Sequence, residues 1–255
     1  MNYYFNTALA DGYKNNSQKI RIMSENWVAH NMYCPICGNP RISHLDNNMP
    51  VADFSCDNCG EIFELKSMGK KIGKKIVDGA YSTMINRITA INNPDLFVMQ
   101  YSPDLQVLNL TLIPKFFFIP SIIEKRKPLS DNARRAGWVG CNILYANIPV
   151  QGRISIINNQ QLTDREAAVN AYAKARKLQT NNIENRGWIL DVLSCVNRID
   201  KDEFSLSEVY EFADELQIKH INNHNIEAKI RQQLQILRDK GYIEFIERGH
   251  YRKIL

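Results

Sequence analysis

Several kinds of segment are missing from this chain of 255 residues. No run reaches the roughly 18–20 apolar residues of a membrane-spanning helix, because the most apolar stretch, residues 116–123, is interrupted by Pro120. Residues 1–16 lack the basic start and the apolar core of a secretion signal. Internal repeats and low-complexity segments are missing as well. We therefore expect a cytoplasmic location and no membrane partner.

Net charge is small, at +5, but its distribution along the chain is uneven. Residues 1–180 carry +7, and residues 181–255 carry −2. Within the second part, residues 200–215 hold seven acids and one lysine, whereas residues 216–255 hold eight bases and four acids. If the acidic and the basic segment lie on opposite sides, the basic side is suited to docking on a polyanion.

Cysteine is scarce, with six in the chain, but four of the six form a regular pattern. Two Cys-x-x-Cys pairs, Cys34/Cys37 and Cys56/Cys59, are separated by eighteen residues. In a reducing cytoplasm such pairs bind metal more often than they form disulfides, and this spacing is typical of a four-thiolate zinc site. A closed shell of four cysteines predicts one structural Zn²⁺ per chain. The alternative is four ordinary buried thiols.

Asp53 precedes the second cysteine pair, and Glu64 and Lys66 follow it. Residue alternation in PVADFSC and EIFELKS predicts two short paired strands, with Glu64 and Lys66 on one face. Two carboxylates on neighbouring strands can hold Mg²⁺, and a lysine beside them can orient or help deprotonate an attacking water. With Pro50 and Glu64-Leu65-Lys66, Asp53 matches the PD-(D/E)xK nuclease pattern. Solvated ion pairs would explain the same residues without catalysis.

The first 180 residues mix helical and strand periodicities, which predicts an α/β domain. The predicted elements are, in order, a helix of structural role over residues 17–30, the paired strands, a helix capped by Asp78, buried strands over 96–102 and 107–114, an irregular region over 115–149, a strand over 153–157 and a helix over 164–179.

The polar residues 180–187 predict a linker, and the pattern changes after it. Three helices followed by two alternating segments around a glycine turn are the layout of a winged helix-turn-helix domain. A segment resembling a capping box, residues 205–208, begins the second helix. We therefore predict two domains, residues 1–180 and residues 181–255.

Residues 125–138 carry five basic side chains against the single acid Asp131. Arg134, Arg135 and Trp138 belong to this segment, and glycines flank the tryptophan. Beside two arginines, Trp138 could contact a base edge or a thymine methyl in a DNA groove. A tryptophan folded into the core, with the arginines solvated, explains the sequence equally well.

The chain as a whole resembles the DpnI-type, methyl-directed type II (type IIM) restriction endonucleases. The resemblance extends nearly from end to end, through NSQKIRI, YCPICGN, NNMPVADFSCDNCGEIFELKS, DGAYSTM, NARRAGWVGCNI, RQQLQILRDKGYIEF and RGHYRK. It implies a restriction-endonuclease-like PD-(D/E)xK core with an inserted zinc site, followed by a small winged-helix domain, both of which bind methylated DNA. The implied activity is Mg²⁺-dependent hydrolysis of double-stranded DNA at GATC sites with methylated adenine, by a monomer.

Carried onto this chain, the resemblance makes Asp53 and Glu64 the Mg²⁺ ligands, with the Leu65 carbonyl as a third, and Lys66 the residue that positions water. It assigns Zn²⁺ to the four paired cysteines and makes Trp138 a candidate for reading the methyl groups. If the apolar side of the helix over residues 226–237 faces inward, its polar side faces DNA. The expected DNA contacts are Arg134, Arg135, Trp138, His224, Asn225, Lys229, Arg231, Gln232, Gln235, Arg248, His250 and Arg252. The competing hypothesis is a zinc-ribbon and winged-helix regulator that binds DNA without cutting it.

Overall fold

The computed structural model describes residues 1–45, 52–90 and 93–254. Pro50, the first residue of the predicted nuclease pattern, lies outside these ranges. No helix within them is long and apolar enough to cross a membrane. The helices of the described residues are α1 (Asn16–Asn31), α2 (Tyr81–Ile88), α3 (Arg165–Arg176), α4 (Ile183–Arg198), α5 (Leu206–Tyr210), α6 (Ala213–Lys219) and α7 (Ile226–Asp239). The strands are β1 (Ser43–His44), β2 (Phe54–Ser55), β3 (Ile62–Met68), β4 (Ile76–Ala80), β5 (Asp95–Tyr101), β6 (Val107–Ile113), β7 (Ile123–Lys125), β8 (Gly140–Ile143), β9 (Ile154–Asn158), β10 (Gln161–Leu162), β11 (Glu203–Ser205), β12 (Ile243–Glu247) and β13 (His250–Lys253).

A large sheet forms the centre of the amino-terminal part, and its described strands follow the order β1-β2-β3-β5-β6-β9-β10. Strands β3 and β5 pair in parallel, and the other neighbours are antiparallel. The first five residues of β5 are all buried, as expected for a strand that is covered on both faces. Helix α1 packs on β3, and α3 packs on β9. The predicted α/β class is confirmed.

A smaller sheet in the order β4-β8-β7 lies beside the large one. The expectation of an irregular region over residues 115–149 is wrong for β7 and β8. These strands have only three and four residues, too few to show an alternating pattern. Strands β7 and β8 form a β-hairpin, and residues 126–139 connect them. This connection, hereafter the basic loop, contains most of the basic segment.

The prediction that Asp78 caps a helix is also wrong. Asp78 lies within β4, where it pairs with Cys141 of β8. Helix α2 begins three residues later, and its N-cap residue, Ala80, makes no side-chain capping bond. A register shift between Asp78 and Ala80 carries the strand up to the residue before the helix. Aspartate before a helical pattern is a good capping signal, but here strand pairing decides its position.

The carboxyl-terminal part contains α4 to α7 and a sheet in the order β11-β13-β12. The predicted linker over residues 180–187 is too long, because α4 begins inside it at Ile183. The side chain of Asn182 accepts a hydrogen bond from Asn185 N at 2.9 Å and so caps this helix. The predicted capping box is confirmed, with Ser205 and Glu208 bonding reciprocally at the start of α5.

Helix α7 presents one side to the core and the other to solvent. Ile226, Ile230, Leu234 and Leu237 are buried, as the sequence pattern predicts. The helix is followed by Gly241, whose φ of +75° is a conformation that favours glycine. The polar side of α7, with Arg231, Gln232 and Gln235, therefore faces outward.

Hydrogen bonds fasten the carboxyl-terminal part to the amino-terminal part. Tyr242 Oη donates to the Lys174 carbonyl of α3 at 2.8 Å. The guanidinium of Arg186, in α4, donates to the Ile88 carbonyl at the end of α2, also at 2.8 Å. Both bonds join residues that are far apart in the sequence, and they link the two parts of the chain.

Candidate active site

Strand pairing brings Asp53 next to Glu64. The β2 and β3 strands are antiparallel, with Phe54 opposite Phe63, and the prediction that they pair is confirmed. Asp53 stands just before β2, and its amide donates to the Phe63 carbonyl at 2.8 Å. Its carboxylate Oδ2 accepts from the Leu65 amide at 2.7 Å. The Asp53 side chain is thereby held against the segment that contains Glu64, Leu65 and Lys66.

Lys66 lies between two carboxylates. Its Nζ is 2.8 Å from Glu64 Oε1 and 2.8 Å from Asp78 Oδ1. Burial lowers the pKa of Lys66, but the charges of Glu64 and Asp78 outweigh it, and the pKa is raised above its ordinary value. The lysine is therefore an ammonium group at neutral pH. Asp78 was not predicted as a site residue, because no sequence spacing relates it to Lys66.

Helix α1 contributes a further acid to the site. Glu25 is buried, and its two oxygens contact Arg21 Nε at 2.6 Å and His44 Nε2 at 3.1 Å. Arg21 Nη2 also lies 3.9 Å from Asp53 Oδ1. The sequence pattern predicts this helix correctly but assigns it only a structural role. The available signal was an acid and a base four residues apart beside a buried helix face.

The pKa of Asp53 is raised above its usual range. Burial is the largest cause, and the nearby charges of Glu25 and Glu64 act in the same direction. The Leu65 amide and Arg21 oppose the change. Asp53 is therefore a largely buried carboxyl group with two further acids, Glu25 and Glu64, nearby.

The four paired cysteines form one cluster, in which all Sγ atoms lie within 4.8 Å of one another and could hold a metal ion. Cys34 Sγ is 3.7 Å from Cys59 Sγ, and Cys37 Sγ is 3.6 Å from Cys56 Sγ. Each pair is followed by a glycine at positive φ, Gly38 at +74° and Gly60 at +71°. The glycine amides donate to the carbonyls of Cys34 and Cys56, which closes a tight turn at each pair.

The cluster is joined directly to the strands of the candidate site. Cys56 follows the last residue of β2, and the second cysteine pair forms the turn that leads into β3. The Cys56 amide donates to the Glu61 carbonyl at 2.9 Å, next to the first residue of β3. The first pair comes from the segment after α1. The cluster thus connects α1 with the hairpin of β2 and β3.

The basic loop places its tryptophan at the surface rather than in the core. Trp138 is half-buried, and Arg135 Cζ lies 4.7 Å from its ring centre. The ring packs on the backbone of Gly140, where an added Cβ would come within 2.8 Å of it. Arg134 and Arg135 are exposed. This arrangement presents an aromatic and two guanidinium groups on one loop.

The predicted DNA contacts of the carboxyl-terminal part are exposed, with one exception. Lys229 is half-buried, and its Nζ lies 5.8 Å from the ring centre of Trp188. Arg252 is exposed but bonds to Glu203 and to Glu244, each at 2.7 Å. The exposed residues of this set are His224, Asn225, Arg231, Gln232, Gln235, Arg248, His250 and Arg252.

The carboxylate–lysine group, the cysteine cluster and the basic loop thus occur together in a mixed α/β protein with a helical carboxyl-terminal part. The model of the DpnI family, described as the Dam-replacing family, matches residues 1–181, and the model of the Dam-replacing HTH domain matches residues 184–253. The chain belongs to the DpnI family, as its sequence resemblance predicts. The family indicates a restriction endonuclease, and the helix-turn-helix domain indicates that it binds DNA.

Proposed function

We propose that this chain is a type II endonuclease that hydrolyses double-stranded DNA at GATC sites with methylated adenine, in an Mg²⁺-dependent reaction. The observation that carries the proposal is the convergence of Asp53, just before β2, with Glu64 and Lys66 on the paired strand β3. Residues 1–180 would form the PD-(D/E)xK catalytic domain and residues 181–255 the winged-helix domain. We further propose that it acts as a cytoplasmic monomer.

The donor set at the site fits Mg²⁺. In each of the two carboxylates, one oxygen has a short contact: Asp53 Oδ2 with the Leu65 amide, and Glu64 Oε1 with Lys66. The second oxygen of each lies 3.9 Å from an arginine, a longer ion-pair contact than those of the first oxygens. Oxygen ligands and incomplete protein coordination are typical of Mg²⁺ sites. Asp53 and Glu64, with the Leu65 carbonyl as a third, would hold the ion.

Bound Mg²⁺ would neutralise charge on the phosphate and lower the pKa of a water molecule. The residues of the chain supply position and charge balance. Lys66, as an ammonium group, donates hydrogen bonds and can orient the attacking water toward phosphorus. Its fixed position on β3, beside Glu64, keeps it next to the proposed cation ligands. Arg87 Nη1, 3.9 Å from Glu64 Oε2, adds a second positive group near the same carboxylate.

We propose that Zn²⁺ fills the cysteine cluster. Four thiolates in one shell suit tetrahedral Zn²⁺ and leave no position for a substrate, so its role would be structural. Because the cluster joins the turn between β2 and β3, the ion would fix the strand next to Asp53 against the strand that contains Glu64 and Lys66.

The basic loop and the winged helix are the proposed DNA-reading surfaces. The two adenine methyl groups of a methylated GATC site lie close together in the major groove, where one apolar side chain could touch both. Trp138, at the surface beside Arg134 and Arg135, is the proposed methyl-sensing residue, with the arginines on phosphate or base edges. On α7, the outward residues Arg231, Gln232 and Gln235 are proposed to enter the groove.

Cleavage of plasmid DNA tests the proposal. The protein is incubated with Mg²⁺ and with plasmid whose GATC sites are either adenine-methylated or unmodified. We expect fragments only from the methylated plasmid. If neither plasmid is cut, the second candidate, a regulator that binds DNA without cutting it, becomes the better explanation. Equal cutting of both would contradict methyl-directed specificity.

A further inference from the structure

We infer that Asp78 is a positioning residue for Lys66, supplied by a different sheet from the one that carries the lysine. The inference rests on the proposed nuclease function, in which Lys66 orients the attacking water. Lys66 belongs to β3 of the large sheet, whereas Asp78 belongs to β4 of the small sheet. The contact of 2.8 Å between Lys66 Nζ and Asp78 Oδ1 therefore joins two sheets at the candidate active site.

Asp78 gives the ammonium group a partner that is not a proposed cation ligand. Glu64, the other partner of Lys66, lies on the same strand face and is expected to bind Mg²⁺. Without Asp78, the partly buried ammonium group would have Glu64 as its remaining short ion-pair contact, and it would compete with the cation for that carboxylate. With Asp78 present, Lys66 can stay in place while Glu64 binds the cation.

The Asp78 carboxylate is itself held firmly. Its side chain is only 6% exposed, and Oδ1 also accepts from the Gly79 amide at 2.6 Å. Its second oxygen, Oδ2, is buried and has no hydrogen-bond partner among the described residues. A buried carboxylate oxygen without a partner is destabilising. The free lone pairs of Oδ2 could accept a further hydrogen bond from the same ammonium group.

The strand of Asp78 is also connected to the basic loop. In the β4–β8 ladder Asp78 faces Cys141, and Ala80 faces Gly140, on which the Trp138 ring packs. The small sheet thus carries both the proposed methyl-sensing loop and the carboxylate that holds the catalytic lysine. The active site is complete only when this sheet is docked on the large one.

Single-turnover cleavage of a methylated GATC duplex with Mg²⁺ tests this role through Asp78→Asn, which removes the charge but keeps the size of the side chain. We expect the rate to fall about 10- to 100-fold, the scale of loss that follows from misplacing a reacting group by about 1 Å. The dissociation constant for the same duplex, measured with Ca²⁺ in place of Mg²⁺, should change less than about 2-fold, because Asp78 is buried. Asp104→Asn, the same change at an exposed turn, is the matched control and should cleave at the wild-type rate.

A double-mutant comparison separates positioning from general support of the fold. If Asp78 acts through Lys66, adding Asp78→Asn to a Lys66→Ala protein should change its remaining rate of DNA strand cleavage less than about 2-fold. A wild-type rate for folded Asp78→Asn, or an equal loss in both backgrounds, would overturn the inference.

If Asp78→Asn does not fold, the comparison is made with Asp78→Glu, which keeps the charge but displaces it by one methylene. If the wild-type protein itself does not cut, the proposed function has failed and this inference falls with it; an active wild type with an unaffected variant refutes only the role of Asp78.

Discussion

At the scale of single residues, the candidate site is organised by charge. Burial raises the pKa of the Asp53 carboxyl group, and the charges of Glu25 and Glu64 act in the same direction. Arg21 and Lys66 balance part of this negative charge through short contacts with Glu25 and Glu64. A divalent cation between the carboxylates would reverse the local electrostatics and favour their ionised forms.

Replacing Asp53 tests the proposed cation ligand. We expect Asp53→Ala to abolish cleavage of methylated plasmid, because one of the two carboxylate ligands is lost, while the affinity for methylated DNA changes less than about 3-fold. Cleavage is followed on gels with Mg²⁺, and affinity by fluorescence anisotropy with Ca²⁺. Asp104→Ala, an exposed aspartate in the turn after β5, serves as the control. A variant at Asp53 that still cuts would show that the catalytic assignment is wrong.

Replacing Trp138 tests methyl sensing. One methyl group in an apolar contact contributes about 1–3 kcal/mol, so we expect Trp138→Ala to reduce the preference for methylated over unmodified GATC DNA by about 10-fold or more. Trp138→Phe keeps an apolar ring on Gly140 and should retain most of the preference. The ratio of cleavage rates on the two duplexes is the measurement. An unchanged ratio for Trp138→Ala would leave the tryptophan with a packing role only.

The residues of the site differ in how far sequence could predict them. Asp53, Glu64 and Lys66 lie within fourteen residues of one another, on strands whose alternation is visible, and the structure brings them together. Asp78 and Glu25 reach the same site from a second sheet and from a helix. Their contacts depend on how the sheets and helices pack together, which no local periodicity in the sequence predicts. The cysteines are the opposite case, because their spacing alone sets the turn geometry.

At the scale of elements, a buried carboxylate joins β5 to α3. Asp95, the first residue of β5, is fully buried and accepts from Tyr172 Oη of α3 at 3.1 Å and from the Lys115 amide at 2.8 Å. Burial is the main cause that raises the pKa of Asp95 to about 7. The protein therefore buries a carboxyl group that is partly protonated near neutral pH.

This group predicts a pH dependence of stability. The pKa of Asp95 is about 7 in the folded chain, above its ordinary value of 3.8, which applies to the unfolded chain. Its stabilising contribution is therefore fully present below about pH 4 and is lost as pH rises to 7, with a slope of up to about 1.4 kcal/mol per pH unit. We expect Asp95→Asn, which cannot ionise, to remove this component. The test is the difference in the free energy of unfolding in urea between wild type and variant from pH 4 to pH 8.

The comparison needs a control, because other groups titrate in the same range. Asp104→Asn should keep the wild-type slope, since Asp104 is exposed. If Asp95→Asn and Asp104→Asn follow the same curve as the wild type, the Asp95 carboxyl group titrates in the folded protein as it does in the unfolded chain.

Element length decided which elements could be predicted from sequence. The long strands β5 and β6 and the helices α3 and α7 have enough residues for a clear period, and all four are found close to their predicted bounds. Strands β7, β8 and β11 have three or four residues and carry no such signal. The start of α4 was missed because its first turn is polar and reads as a linker until the cap at Asn182 is seen.

At the scale of the whole molecule, we propose that two metals have separate tasks, one building the site and one working in it. Metal analysis of the purified protein should give about one Zn²⁺ per chain, and less than about half an equivalent would contradict the four-thiolate site. Stripping the cluster with a thiol-competing chelator should abolish cleavage, and Mg²⁺ alone should not restore it, because the strands next to the cluster lose their support. Activity is measured after Mg²⁺ is returned with and without Zn²⁺.

Cysteine variants provide the matched comparison for metal removal. Cys37→Ser should lose the metal and the activity together, since Cys37 belongs to the cluster. Cys141→Ser or Cys195→Ser changes a buried cysteine outside the cluster and should keep about one Zn²⁺ per chain. Normal cleavage by zinc-free Cys37→Ser would show that the cluster does not support the site.

The position of the cysteine cluster has a consequence for the life of a newly made chain. Its two halves leave the ribosome at different times, with eighteen residues between them, and the strand that contains Asp78 follows later still. If Zn²⁺ fills the cluster, a chain that has not yet captured the ion has no braced strands to hold Asp53 beside Lys66. Under the proposed function, such a chain would not yet cut DNA, so capture of Zn²⁺ would precede activity during synthesis.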